Sequence, residues 1–341
     1  MSVFATLGLV PTASDPEINV PVYNTIFEFF VPVAIPLLLF QVQINRMIRE
    51  AGRLMGIFLI GSIGVAVGAL CASWLLNVGP EEYKVTGVFI GTYTGGSVNF
   101  IGVASTLDFL DSPLFASTIA VDNVFTNFYL MLLFLLPSLG WLVSKFAPEP
   151  EFSKVVETRQ ETGRNSMESI TWCLTIAVLV FALARVVAPV LAGWLNTDVN
   201  LEVLLITIFT IILANLFPQR MHRLSSTAFD IGMLFLYVFL AVIGAAADLR
   251  EIFTSSPTIL LFAVIVLLIH FVISLGFGRL LGYSLKEIMI ASGANAGGPS
   301  IAAPMAASFG MRNAVTPAIL VAITGYVIGT FLGVSVGLWI Q

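Results

Sequence analysis

Apolar positions along the chain gather into long runs near 24–43, 54–77, 85–107, 113–143, 169–195, 201–217, 227–247, 257–281, 287–309 and 314–340. Most of these runs approach or exceed the ~20 residues that a helix needs to cross hydrocarbon. Strands of a membrane barrel would alternate apolar and polar residues over ~10 positions, and these runs do not alternate. The pattern predicts a polytopic, all-α membrane protein. Connections are short except for 144–168, which carries Lys145, Lys154, Arg159 and Arg164 among Glu149, Glu151, Glu157, Glu161 and Glu168. That segment reads as a solvated linker between a first half, 1–143, and a second half, 169–341.

Composition removes the alternatives. Of the 341 residues, 58% are hydrophobic and 10% charged, against roughly 25% charged in soluble domains. A mean hydropathy of +0.98 excludes disorder as well. The lipid bilayer is therefore a partner, and the absence of any basic stripe argues against nucleic acid. Cys71 and Cys173 lie inside apolar runs and suggest neither a disulfide framework nor a metal site. No HExxH, GxGD or P-loop pattern occurs, and the chain has 2 histidines, so an enzyme or a resident cofactor is not expected. Residues 1–11 lack a basic n-region and a small-residue cleavage site, so no cleaved signal peptide is expected.

The halves are related by one offset. Subtracting 202 places Lys286 on Lys84, Gly293 on Gly91, Gly297 on Gly95, Gly298 on Gly96, Ala318 on Ala116 and Thr227 on Thr25. Internal duplication is a recurring plan of secondary transporters. The same offset leaves 169–200 unpaired, which predicts a first repeat that is incomplete at its N-terminus, in a chain shortened relative to a longer design.

Charge sets the expected orientation. Arg46, Arg49, Arg53, the linker bases, Arg220, Arg223, Arg279, Lys286 and Arg312 all lie on the cytoplasmic side if 85–107 and 287–309 each return to the face they left. Lys84 and Arg250 then face outward, and the two halves become inverted. Both returning segments carry glycine pairs, in GTYTGGSVNF (91–100) and GANAGGPSIAAP (293–304). Glycine pairs permit a sharp backbone reversal. The segments read as interrupted re-entrant hairpins, with a full crossing that has an unwound middle as the rival geometry.

Backbone groups freed at membrane depth must face protein or a wet cavity. Thr92, Thr94, Ser97 and Asn99 around Gly95 and Gly96, with Asn295 and Ser300 around Gly297 and Gly298, supply oxygens suited to Na⁺. The helix N-termini beyond the breaks suit a substrate carboxylate. The alternative is small-residue helix packing. In the run 113–143, Asp122 and Asn123 lie well inside an apolar helix. Thr118, Asp122 and Thr126 share one face, flanked by Asn123 and Asn127. A carboxylate at that depth costs about 2.5–3.5 kcal/mol on insertion scales, so either it binds a coupling cation in competition with a proton or it is held structurally. Glu28 and Asp230 read as first-turn acids that complement the helix dipole. His270, alone in VLLIHFVISLGFG, is either a satisfied core residue or part of a proton path.

The motifs VPVAIPLLLFQVQI (31–44), GTYTGGSVNF (91–100), AVDNVFTNFYL (120–130) and GANAGGPSIAAPMA (293–306) resemble the domain-of-unknown-function 819 family of membrane proteins. That family is grouped with cation:proton antiporters, bile acid:sodium symporters and 2-hydroxycarboxylate carriers. The resemblance implies an elevator-type carrier with panel and core domains, working as a homodimer in the inner cell membrane. Antiporters of the group carry an acidic pair, Asp-Asp or Asn-Asp, where this chain has Asp122-Asn123, in reversed order. Symporters of the group hold Na⁺ with Ser and Asn from the interrupted segment, similar to Ser97 and Asn99. The resulting expectation is a cation-coupled transporter of a small solute such as an organic anion. A Na⁺/H⁺ antiporter without organic substrate is the alternative, and an intramembrane enzyme or channel is more remote.

Overall fold

The computed structural model describes residues 26–43, 51–149, 166–195, 200–246 and 257–341. Arg46, Arg49, Lys154, Arg159, Arg164, Arg250 and the expected shortened start lie outside the described residues, as do the side chains of Glu28, Ser300 and Arg312.

The helices follow the apolar runs. In chain order they are α1 Val31–Leu39, α2 Gly52–Leu75, α3 Glu82–Gly95, α4 Ser97–Thr106, α5 Phe115–Leu135, α6 Met167–Leu195, α7 Glu202–Leu216, α8 Pro218–Ala246, α9 Pro257–Leu280, α10 Leu285–Gly297, α11 Pro299–Ser308 and α12 Val315–Ile340. Among the described residues no strand occurs. Among the described residues, five helical stretches are long and apolar enough to cross a membrane: α2, Phe115–Ser138, α6, α9 and α12. The chain is a polytopic helical membrane protein.

Two runs behave differently from their apolar limits. Helix α8 begins nine residues before its apolar run, because Pro218 suits a first helical turn and polar Arg220, His222 and Arg223 continue it. Helix α1 is preceded by a π-turn, Ile26–Phe30, and contains Pro36.

The chain forms two compact units, and both take residues from each side of the linker. Unit 1 comprises Met1–Gln43, Ala104–Val121 and Arg159–Leu260. Its centre is α1, whose Val33, Leu37, Leu38 and Phe40 are fully buried. Helices α6, α7 and α8 pack around it. Leu37 and Leu38 sit against Gly232, where a Cβ would come within 2.9 Å of Leu38. The end of α1 is tied by Asn215, which donates to the Val42 carbonyl at 3.1 Å.

Unit 2 comprises Ile44–Val103, Asp122–Thr158 and Leu261–Gln341. It contains α2, α3, α10, α11 and α12, with most of α4, α5 and α9. Three polar ties collect at one end of it. Ser284 caps α10 reciprocally with Glu287. The buried Glu287 carboxylate also accepts from Arg53 of α2 at 3.0 Å, and Arg53 donates to the Gly282 carbonyl at 2.8 Å. Lys286, just inside α10, donates to the Phe309 carbonyl at 3.0 Å and pairs with Glu149 at 2.6 Å. The beginning of α10 and the end of α11 therefore lie together.

Candidate ion and solute site

Each glycine pair ends a helix and starts another. Helix α3 stops at Gly95; Gly96 takes φ +87° and its N–H bonds the Thr92 carbonyl at 2.6 Å. Helix α10 stops at Gly297; Gly298 takes φ +67°, and Pro299 opens α11. Positive φ is the conformation that glycine adopts without a Cβ penalty. The offset of 202 relates the two breaks, Gly96 and Gly298, and it also relates α4 (97–106) to α11 (299–308).

The chain reverses at both breaks. A Cβ on Gly91 would lie 2.8 Å from Val103, and one on Gly293 would lie 2.9 Å from Met305. In a continuous helix, residues twelve apart are about 18 Å apart. The interrupted segments are therefore helical hairpins, and a crossing helix with an unwound middle is excluded as their geometry. Their tips touch: a Cβ on Gly96 would be 3.4 Å from both Gly297 C and Gly298 N.

Helix α12 lies along the first hairpin. Gly325, Gly329 and Gly333 recur at four-residue spacing opposite Gly95, Gly91 and Gly87. A Cβ on Gly325 would meet the Thr94 carbonyl at 2.7 Å, and one on Gly329 would meet the Gly91 carbonyl at 3.0 Å. Small-residue packing, the sequence alternative, is thus present on this face of α3, beside a break that it does not replace. Asn99 locks the arrangement. Its Nδ2 donates to the Gly325 carbonyl at 2.6 Å, and its Oδ1 accepts from Thr330 at 3.1 Å.

Asp122 is buried, with a relative exposure of 1%. It accepts from Thr92 Oγ1 of the first hairpin at 3.2 and 3.4 Å, and from Thr126 Oγ1 of its own helix at 3.2 Å. Among the described residues, no ion pair involves Asp122, whereas Arg53 pairs with Glu287, Lys84 with Glu81 and Lys286 with Glu149. An interior carboxylate without a basic partner is stable when protonated or beside a bound cation.

A second group of oxygens lies by the hairpin tips. Asn295 Nδ2 donates to Ser62 Oγ at 3.0 Å and to the Thr94 carbonyl at 3.4 Å. Asn295 Oδ1, Thr94 Oγ1 and Ser274 Oγ are buried without a partner. Asn295 Oδ1 packs directly on Gly61, and Ser274 Oγ would stand 3.3 Å from a Cβ there. Oxygens left free in an otherwise satisfied interior suit a hard cation or a water.

Other candidates are placed differently. Thr118 is buried and donates to the Leu114 carbonyl at 2.7 Å. Asn123 is half-buried, and Asn127 is exposed and donates to the Asn123 carbonyl at 2.7 Å. Ser97 and Gly297 are half-buried beside the tips, where Gly95, Gly96 and Gly298 are buried. Tyr129, Ser292, Ser62, Ser274 and Thr330 join this interior although nothing singled them out in the sequence. The available signal for Tyr129 was its spacing from Asp122, two turns along the same helix.

Geometry and chemistry together define a helical membrane protein in which the buried acid Asp122 lies beside a hairpin whose tip touches a second. The chain belongs to the DUF819 family of proteins of unknown function, whose model matches residues 1–341. The uncharacterized membrane protein YjcL of Bacillus subtilis (strain 168) is 33% identical over 357 residues, which cover 99% of this chain and 87% of that protein.

Proposed function

We propose that this protein is a cation-coupled secondary transporter of a small solute, with Asp122 as the coupling residue and Na⁺ or H⁺ as its ion. The observation that carries this reading is Asp122, buried without an ion pair and hydrogen-bonded by Thr92 and Thr126. A proton and a cation compete for such a carboxylate, and exchange between them couples one gradient to another. The Thr94 hydroxyl, which can donate, and the α4 N-terminus suit an organic anion close to the tips, whereas the free Asn295 amide oxygen suits a cation. A Na⁺/H⁺ antiporter is the second reading, favoured because the Asp122 site requires nothing beyond the ion. Neither reading calls for an enzyme or a resident cofactor.

Inverted repeats are supported by the shared offset of the breaks and of the close pairs 91/103 and 293/305. On the elevator plan that the family resemblance implies, unit 2 is the core that carries the site and unit 1 is the panel. The resemblance extends to a homodimer in the inner cell membrane. The joining of Arg53, Lys286, Glu149 and Phe309 at one end of unit 2 puts residues 51–53, 144–149 and 282–286 on one side, which the positive-inside rule makes the cytoplasmic one. In a background of Cys71→Ala and Cys173→Ala, Leu281→Cys and Asn313→Cys are expected to label from one side of the membrane and Pro80→Cys from the other. Labelling of the first two from opposite sides would refute the topology.

The direct test is a thermal-stability screen of the purified full chain, with and without Na⁺, at pH 5.5 and 8. The expected result is cation-dependent stabilisation that is stronger at pH 8. A rise produced by an organic acid only when Na⁺ is present identifies symport, and a rise with Na⁺ alone identifies antiport. No response to any monovalent cation, together with no dependence on pH, sinks both readings.

A further inference from the structure

The buried histidine of unit 2 is satisfied without a charge. His270 Nδ1 donates to the Gly61 carbonyl at 2.9 Å, and its Nε2 accepts from Ser292 Oγ at 2.7 Å. Ser292 Oγ bonds Tyr129 OH at 2.5 Å. A neutral imidazole completes this chain, so His270 is a core residue. Charge gathers instead where α10 begins. Arg53, Glu287, Lys286 and Glu149 meet there, and Glu149 comes from the linker.

The two ion pairs differ in kind. The Glu287 side chain is 0% exposed, and Arg53 is further fixed by the Gly282 carbonyl and by the Tyr283 ring, 4.8 Å away. That pair is a permanent pin. The Glu149 side chain is 44% exposed and that of Lys286 22%, so solvent ions reach their bond. Lys286 Nζ keeps a second partner, the Phe309 carbonyl at the end of α11, where a cation complements the helix dipole. Residues 144–149 follow the helical turn Gly140–Val143, and the amides of Lys145 and Phe146 bond back to the Leu142 and Val143 carbonyls. Between this segment and α10 lies a cavity of about 370 Å³, lined by Val143, Phe146, Pro148, Leu285 and Lys286 among others. Apolar packing across that gap is incomplete, which leaves Glu149–Lys286 as a tie across it. Glu149 is also the last described residue before the chain enters unit 1 at Arg159.

We propose that residues 144–149 form a strap over the open end of the second hairpin, latched by the Glu149–Lys286 ion pair and released as ionic strength rises. The screening length falls from about 10 Å at 0.1 M salt to about 3 Å at 1 M, so the exposed pair weakens while the buried Arg53–Glu287 pin holds. On release Lys286 keeps the Phe309 carbonyl, so the hairpin stays closed on itself while the cavity beneath the strap opens to water. The strap belongs to the second hairpin. Lys84, related to Lys286 by the offset of 202, pairs with Glu81 three residues earlier, so the acid is local there and comes from the linker here. The inference does not rest on the transport reading.

The test uses the full chain with Cys71→Ala, Cys173→Ala and Ala147→Cys. Ala147 lines the cavity and is half-buried, so its thiol reacts with N-ethylmaleimide faster when the strap lifts. The reagent is neutral, and choline chloride supplies ionic strength without a small cation for Asp122. Labelling is expected to be at least threefold faster at about 1 M than at about 0.05 M salt. Adding Glu149→Gln should give the fast rate at both concentrations. Lys145→Gln, which removes a neighbouring charge and keeps the latch, should retain the salt dependence. If Ala147→Cys does not fold, hydrogen exchange of residues 141–149 in the otherwise native chain reads the same opening. Labelling indifferent to salt, a Glu149→Gln rate no faster than the parent at low salt, or a Lys145→Gln effect equal to that of Glu149→Gln overturns the proposal. No readout uses the cation response, so failure of the strap and failure of the transport reading are separate outcomes.

Discussion

Replacing Asp122 with Asn is expected to cut the cation response of the purified protein at least by half and to remove its dependence on pH. The amide is the same size as the carboxylate, and its oxygen can accept from Thr92 or Thr126, so the fold should persist. What disappears is the negative charge, and with it the competition between proton and cation. In wild-type protein the proton wins at low pH, so cation stabilisation should grow as pH rises. At a cation concentration 100 times Kd, binding stabilises the folded state by about 2.7 kcal/mol. Loss of the carboxylate should weaken the site at least tenfold, about 1.4 kcal/mol, and flatten its pH profile. Unfolding curves for both proteins across a Na⁺ series at pH 5.5 and 8 measure this. An Asp122→Asn protein that keeps the wild-type response would remove Asp122 from the coupling site.

The second large effect is expected at Gly325. A Cβ there would stand 2.7 Å from the Thr94 carbonyl, 2.9 Å from the Gly95 Cα and 3.1 Å from the Phe58 ring. Two of these neighbours are backbone, so neither can turn aside. Gly325→Ala must push α12 away from α3, at a typical overpacking cost of about 1–3 kcal/mol. The same displacement pulls the Gly325 carbonyl from Asn99 and moves the tip at Gly96. Both stability and cation binding should fall. Gly276→Ala is the control, since nothing lies within 4 Å of a Cβ there. It should be neutral, or stabilising by roughly 0.5–1 kcal/mol through lower backbone entropy. Equal melting of the Gly325→Ala and wild-type proteins would contradict the close approach of these helices.

The contrast between these glycines shows what sequence reading can resolve. Gly325, Gly329 and Gly333 repeat at four-residue spacing, which marks a small-residue face of α12. The helix opposite that face is not encoded locally. Gly95 belongs, with Gly87 and Gly91, to a comparable face and also to a break, and the structure assigns it both roles. The hydroxyls pose the same difficulty. Thr207 and Thr210 donate to carbonyls four residues back on their own helix, as serines and threonines in apolar helices commonly do. Thr92 and Ser292 sit in equally apolar runs yet reach across to Asp122 and His270.

By itself the sequence determined the membrane class, the helical runs and the two break points. Those properties are local: apolar length sets whether a helix can span, and a glycine pair sets where the backbone can take positive φ. The offset of 202 was legible for the same reason, since identical residues recur at one spacing. Only the tertiary structure decided that each broken segment folds back, because a break permits reversal and crossing alike until residues twelve apart are seen in contact. It also decided which oxygens surround Asp122, and that His270 is linked to Tyr129. Those partners come from helices distant in sequence, and their pairing depends on packing register, which no local pattern carries.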